Sequence, residues 1–396
     1  MLADADAGNV VTAAQGGAMW GYRLLPLVLL LIPALFMVQE LAVRLGLATG
    51  LGFGELVRQR FGPAWAWVCG AVLAVAVLGS LITEFTGIAG IGELYGVPRS
   101  VSLPLAYLCL LAVVLTGAYR RVERVAIAIG LFELAFLFVA WRAHPGGDAV
   151  LADVSDLPLG DARFLFLAAA LVGATFNPWM IFYQQSAIAE KGLRRTHRAA
   201  ARWDTAVGAA LTQVVTAAVL AAAAATLGAA TLGAGSPAAA LDNVGRISEA
   251  LTPFLGVQAG RLLFSAGVLG AATVAALVCS LALAWGIAEV SGQRRTPENA
   301  MPRSRWFHAA YAAGVAGCAG LTGWAPDLVW LNIAAQVANA VLLPVLVGTL
   351  VALAATALPA EERLRGWYLL LVVAVCAALG ASDSKWPLRG MGFVLA

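Results

Sequence analysis

Gly173-Ala174-Thr175-Phe176-Asn177-Pro178-Trp179 stands midway along an apolar run from Phe164 to Tyr183. A run of that length spans about 30 Å of hydrocarbon as a helix. Pro178 removes one backbone hydrogen bond from such a helix, and its ring clashes with the carbonyl of Ala174. In lipid the released carbonyl needs a partner inside the protein, because no water reaches it. Asn177 sits beside it. The heptapeptide reads either as a well-packed kink or as a break that collects polar groups at mid-membrane depth.

A second stretch of this kind is Asp4-Ala5-Asp6-Ala7-Gly8-Asn9, at the start of the first apolar run. Gly8 favours local unwinding. An unwound turn would point the Asp6 carboxylate and the Asn9 amide oxygen at one spot, and both are ligands for a hard cation. The plainer reading is a polar tail with a helix cap at Asp6 or Asn9. The two stretches lie in the first and sixth runs. That spacing is expected of paired five-helix inverted repeats whose broken helices form a midplane site.

Composition supports a membrane protein. The 396 residues are 61% hydrophobic and 12% charged, against about 25% charged in a soluble domain. That leaves no polar shell for water, so lipid is the solvent for most of the exterior. Eleven apolar runs are legible, among them Val10–Tyr22, Leu24–Leu45, Ala64–Tyr95, Thr205–Leu227, Leu262–Ile287, Val329–Leu353 and Gly366–Gly380. The alternation of an outer-membrane barrel is absent. Gly228–Leu255 reads as an outer loop and Pro297–Pro302 as a short inner linker. No soluble domain is evident. The five cysteines are scattered among the apolar runs, with neither metal-ligand spacing nor a disulfide framework. The acidic N-terminus lacks the basic start of a signal peptide.

With the N-terminus inside, alternate loops hold Arg44, Arg58 and Arg60; Arg120, Arg121 and Arg124; Lys191 to Arg202; Arg294 to Arg305; and Arg363 with Arg365. These are 17 of the 25 basic residues. The loop His144–Arg163 is acidic, with Asp148, Asp153, Asp156 and Asp161. This bias places the N-terminus in the cytoplasm and the chain in the cell (inner) membrane as a multi-pass protein. The basic residues are explained by topology, so the net charge of +3 does not indicate nucleic acid.

These residues resemble the NRAMP family of divalent metal transporters. That family carries Asp-Pro-Gly-Asn in its first helix, where this chain has Asp6-Ala7-Gly8-Asn9. Its sixth helix carries Gly-Ala-Thr-x-Met-Pro-His, matched by Gly173 to Trp179 with two changes. Its third helix has a Glu-x-x-Gly step, matched by Glu84 and Gly87. Its tenth has a Gln eight residues before a Pro, matched by Gln336 and Pro344. The resemblance covers nearly the whole chain and is nearest to the Nramp-related magnesium transporter branch.

The departures concern selectivity and protons. The family's methionine, a soft thioether, is Asn177 here, and oxygen ligands suit magnesium, calcium and manganese. Its sixth-helix histidines are Trp179 and Gln184, and the aspartate before its third-helix glutamate is Leu81. The three histidines, His144, His197 and His308, fall in loops or at helix ends. Glu84 and Glu133 are the remaining deep carboxylates. Glu84 either carries a proton or pairs structurally. Only five residues precede Asp6, where the family has about ten apolar ones. Either the start was assigned late or a half-helix of the inner gate is missing.

The resemblance implies an all-α polytopic fold of about 11 helices, a LeuT-type five-plus-five inverted repeat. Residues 1–142 would form the first repeat, 163–355 the second, and 362–396 an extra helix and tail. The implied function is movement of Mg2+, Mn2+ or both by alternating access, without proton coupling. The implied metal site is Asp6, Asn9, Ala174 through its carbonyl, Asn177 and Gln336. No enzyme, cofactor, nucleic acid or obligate protein partner is implied; the partners are the metal ion and the lipid bilayer. The rival within transport is a carrier of amino acids or other small organic solutes on the same fold. In such carriers half-helix N-termini face an anionic group, and Asp6 opposes one there. An enzyme finds no nucleophile–base set, and a sensor finds no output domain.

Overall fold

Long apolar runs with few charges become helices because only a helix satisfies every backbone group within its own segment. The computed structural model of the chain describes residues 6–116, 124–125, 128–129, 131–143, 147–227, 241, 243–250, 252–292 and 305–359. Its main helices are α1 (Ala7–Trp20), α2 (Leu25–Thr49), α3 (Phe53–Leu94), α4 (Arg99–Thr116), α5 (Ala135–Ala143), α6 (Gly147–Ser155), α7 (Ala162–Thr175), α8 (Pro178–Glu190), α9 (Arg198–Thr226), α10 (Val257–Ser291), α11 (Arg305–Trp324) and α12 (Leu328–Ala357). No strand occurs among the described residues. Among the described residues, six spans are long and apolar enough to cross a membrane, with α7 and α8 together counting as one. The chain is a multi-pass membrane protein.

The sixth run is two helices, α7 and α8, separated at Phe176 and Asn177. The third run begins earlier than its apolar residues suggest. An amphipathic turn from Phe53 precedes it, and the chain bends at Gly62, whose φ of +87° suits glycine and which Pro63 follows. The stretch expected as a loop at Gly228–Leu255 is not wholly a surface loop. Its described part forms a 3₁₀ turn over Val244–Ala250. There Val244 lies against Gly90 of α3, and the Leu241 N–H donates to Gln15 Oε1 at 2.8 Å. Burial of Val244 and Ile247 holds it on the bundle. The run Gly366–Gly380, the linker Pro297–Pro302, Asp4, His144 and the tail 362–396 lie outside the described residues.

The helices sort into two packed groups. One contains α1, α2, α7, α8 and α9. In the other, α3 runs along α10, α11 and α12 and touches α4. α12 also packs on α7 and α1, and α8 on α10 and α3, so both helices border the two groups.

The described loops gather at two ends of the bundle. At one end Glu289 of α10 accepts from Gly54 N of α3 at 2.8 Å and from Ser186 Oγ of α8 at 2.6 Å. Arg58 donates to the Val290 carbonyl there, and Gln185 to the Leu51 carbonyl. This end carries Arg60, Lys191 and Arg194 to Arg198. At the other end the acidic loop meets Arg23, which pairs with Asp153 at 2.7 Å and Asp156 at 3.2 Å. The Tyr22 N–H also donates to Asp153.

Candidate cation site at the helix break

The geometry starts from two helix ends. Asp6 is the N-cap of α1, and its Oδ1 accepts from Asn9 N at 2.7 Å. This is the plainer of the two readings of that motif. Yet Asp6 is fully buried, unlike a polar tail. A carboxylate there also faces the positive end of the α1 dipole. The second end is the break between α7 and α8. Pro178 opens α8, and Asn177 precedes it in extended conformation. The two ends meet: Asn177 Nδ2 donates to Asp6 Oδ2 at 3.3 Å and to the Ala174 carbonyl at 3.2 Å.

The carbonyl that Pro178 displaces thus finds Asn177 as its partner. As placed, it is the nitrogen end of Asn177 that faces Asp6. Its oxygen is turned to Ser80 Oγ at 3.2 Å and Asn339 Nδ2 at 2.9 Å. For Asn177 to offer oxygen toward Asp6, its amide must make a half-turn. Asn9 and Gln336 are buried in the same region. Gln336 reaches it because α12 lies directly on α1 at Gly8: a Cβ added at Gly8 would stand 2.1 Å from Gln336 Nε2. α12 lies as tightly on α7, where a Cβ at Gly173 would stand 1.8 Å from the Gln336 carbonyl oxygen. Glycine at both positions permits these contacts. The five residues singled out from the sequence therefore converge around the start of α1.

Glu84 comes to the same place. Its Oε2 accepts from Ala7 N at 3.3 Å and its Oε1 from Thr83 Oγ1 at 3.3 Å. Glu133 is buried against Gly267 of α10. Trp179 is buried and donates through Nε1 to Ser80 Oγ at 2.9 Å. Leu81 is buried among apolar groups. His197 lies in a 3₁₀ turn and His308 in the first turn of α11. Sequence reasoning missed Ser80, Thr83 and Asn339. Ser80 stands four residues before Glu84, and Asn339 three after Gln336. Helical spacing puts each pair on one face, and that was the available signal.

The arrangement offers the Asp6 carboxylate, with that of Glu84 beside it, and several neutral oxygens, with neither sulfur nor imidazole. No cluster of three or more His, Cys, Asp or Glu side chains occurs among the described residues. Such a donor set suits a hard cation that keeps some of its water.

The family model described as natural resistance-associated macrophage protein-like, Nramp, matches residues 1–384. The chain belongs to the Nramp family. Among its curated relatives, the divalent metal cation transporter MntH of Verminephrobacter eiseniae is 28% identical over 197 residues, 49% of this chain and 45% of that protein. The protein of the same name from Staphylococcus aureus strain Mu3 is 26% identical over 198 residues, 48% of this chain and 44% of its own. The matched stretch thus spans less than half the length of these relatives.

The solved structure of the Eremococcus coleocola manganese transporter, in complex with an aromatic bis-isothiourea substituted compound, is similar with a TM-score of 0.73. Identity is 18%, and the match covers 96% of this Nramp chain and 83% of that one. The nucleobase-cation-symport-1 family transporter Mhp1 is similar with a TM-score of 0.55 and 15% identity, covering 98% and 88%. These likenesses give the fold, which is all-α and of the LeuT type.

Proposed function

We propose that the chain carries divalent metal ions, Mg2+ or Mn2+, across the cell (inner) membrane by alternating access and without proton coupling. The ion would lie among Asp6, Asn9, the Ala174 carbonyl, Asn177 and Gln336. The observation that carries this reading is the burial of Asp6 at the junction of two helix ends, within 3.3 Å of Asn177. A buried carboxylate, with a second one at Glu84 beside it, is costly in such surroundings unless something of opposite charge visits it. The names of the curated relatives and of the Eremococcus coleocola transporter support a divalent ion.

Replacement of a thioether by Asn177 favours hard ions. Magnesium dehydrates reluctantly and is seldom fully caged by protein. A site with few charged ligands and several neutral oxygens suits an ion that keeps several waters. Clustering of basic residues at the Glu289 end supports a cytoplasmic N-terminus. Residues 1–142 and 163–355 form the two repeats in this reading, and 362–396 an extra helix and tail.

The test is ion flux into proteoliposomes containing the purified chain, read by trapped fluorophores across a panel of divalent ions. Saturable entry of Mg2+ or Mn2+ is expected. Flux no greater than in empty liposomes for every ion would overturn the reading. Flux of an amino acid in its place would favour the organic-solute carrier.

A further inference from the structure

Three side-chain amides run in a chain through the proposed site. Asn339 Nδ2 donates to Asn177 Oδ1 at 2.9 Å and to Gln336 Oε1 at 3.3 Å. Asn177 passes its own nitrogen to Asp6 and the Ala174 carbonyl. All three residues are buried to 1% exposure or less. Among the described residues, two atoms of the chain lack a hydrogen-bond partner: Gln336 Nε2 and Asn339 Oδ1. Buried polar atoms in that condition are uncommon and costly. Gln336 Nε2 is the atom aimed at the α1 backbone at Gly8, two residues from Asp6.

A half-turn of an amide exchanges its oxygen and nitrogen without moving the group. If Asn339 alone turned, two oxygens would meet at Asn177 and two at Gln336. If all three turned together, every bond within the chain would survive with its direction reversed. Asn339 Oδ1 would then accept from Asn177 Nδ2 and Gln336 Nε2. Asn177 would present oxygen to Asp6 and the Ala174 carbonyl, and Gln336 would present oxygen toward Gly8. Ser80, which already accepts from Trp179, can accept from Asn177 and send its proton to a carbonyl one turn back.

With no cation between them, oxygens 3.2 to 3.3 Å apart repel. A dication reverses that balance. We infer that Asn339 is a positioning residue for ion binding: without touching the ion, it couples the Asn177 and Gln336 amides so that both face the ion by nitrogen or both by oxygen. This rests on the ion reading proposed above.

The test is calorimetric titration of Mg2+ and Mn2+ into the purified full chain and three variants. Asn339→Leu removes the coupling, and both ions should bind about tenfold more weakly. Asn339→Asp can accept from both neighbours and favours the oxygen-facing arrangement. It should bind at least as tightly as wild type. Asn332→Asp puts the same charge on the same helix but outside the amide chain, and should fall about tenfold short of Asn339→Asp. Equal weakening by Asn339→Leu and Asn339→Asp overturns the inference, as does equal tightening by the two aspartates. Should Asn339→Leu fail to fold, Asn339→Ser replaces it. Its short hydroxyl cannot bridge both amides, so wild-type affinity there also overturns the inference. Wild-type protein that binds neither ion overturns the ion reading, and with it this one.

Discussion

The side-chain nitrogen of Asn177 lies 3.3 Å from a carboxylate oxygen of Asp6, joining residues 171 positions apart. The contact brings the start of α1 to the break in the sixth run. It also means that the buried carboxylate is held by an amide and by the α1 backbone.

Asp6→Asn is expected to abolish binding of divalent ions. Asparagine caps a helix about as well as aspartate, so α1 should keep its start while the site loses the charge of Asp6. Calorimetric titration should show no saturable heat, and the melting temperature should move by only a few degrees. Asp4→Asn, the control, should bind normally. Intact binding in the Asp6 variant, or equal loss in both, would identify a different carboxylate.

Asn177→Met should reorder the ions. A thioether gains little from magnesium and much from cadmium. Cadmium should compete more strongly against manganese flux in the variant and magnesium more weakly, with manganese changing least. A change of about tenfold corresponds to about 1.4 kcal/mol. An unchanged order would mean that the end of residue 177 does not reach the ion.

Metal flux should not carry protons. Trp179, Gln184 and Leu81 hold positions where the family has titrating groups, and the Trp179 indole is committed to Ser80. Glu84 is engaged by Ala7 N and Thr83. A pH-sensitive dye trapped in metal-transporting proteoliposomes should stay constant. Proton movement proportional to metal movement would promote Glu84 to a proton carrier.

The helix break was legible because Pro178 has an unavoidable backbone consequence in lipid, wherever the rest of the chain goes. The membrane class was legible from run length and charge alone. The roles of Ser80 and Asn339 were not. A serine or asparagine inside an apolar run names no partner, and theirs lie 97 and 162 residues away. The turn around Val244 was misread for a related reason: alanine- and glycine-rich sequence is as compatible with close packing as with a loop. Which end of the Asn177 amide faces Asp6 is set by the hydrogen-bond network around it, which no local pattern records.

Gly173→Ala should destabilise the bundle. Its Cβ would stand 1.8 Å from the Gln336 carbonyl oxygen, a backbone atom that moves only if α7 and α12 separate. Overpacking of this kind costs about 1–3 kcal/mol. Thermal unfolding in detergent should show a drop of several degrees. Gly348→Ala, on α12 with open space around it, should leave the melting temperature unchanged or slightly raised. Equal behaviour of the two would mean that α7 and α12 are not so closely set.

The Glu289 carboxylate joins Gly54 of α3 to Ser186 of α8, and those helices belong to the two groups that the proposed alternating access would move apart. It is therefore a weight on an equilibrium between two shapes. While Ser186 holds it, the shape in which α8 lies against α10 is favoured by the worth of a charge-assisted hydrogen bond, about 1.5–3 kcal/mol. Over that range the ratio of the two populations changes by roughly ten- to over a hundredfold. Ser186→Ala should leave ion affinity within the favoured shape unaltered while the other shape becomes more frequent. Distances between spin labels on α8 and α10 should show the longer separation gaining population. An unchanged distance distribution would mean that α8 and α10 travel together, and that the chain divides elsewhere when it moves.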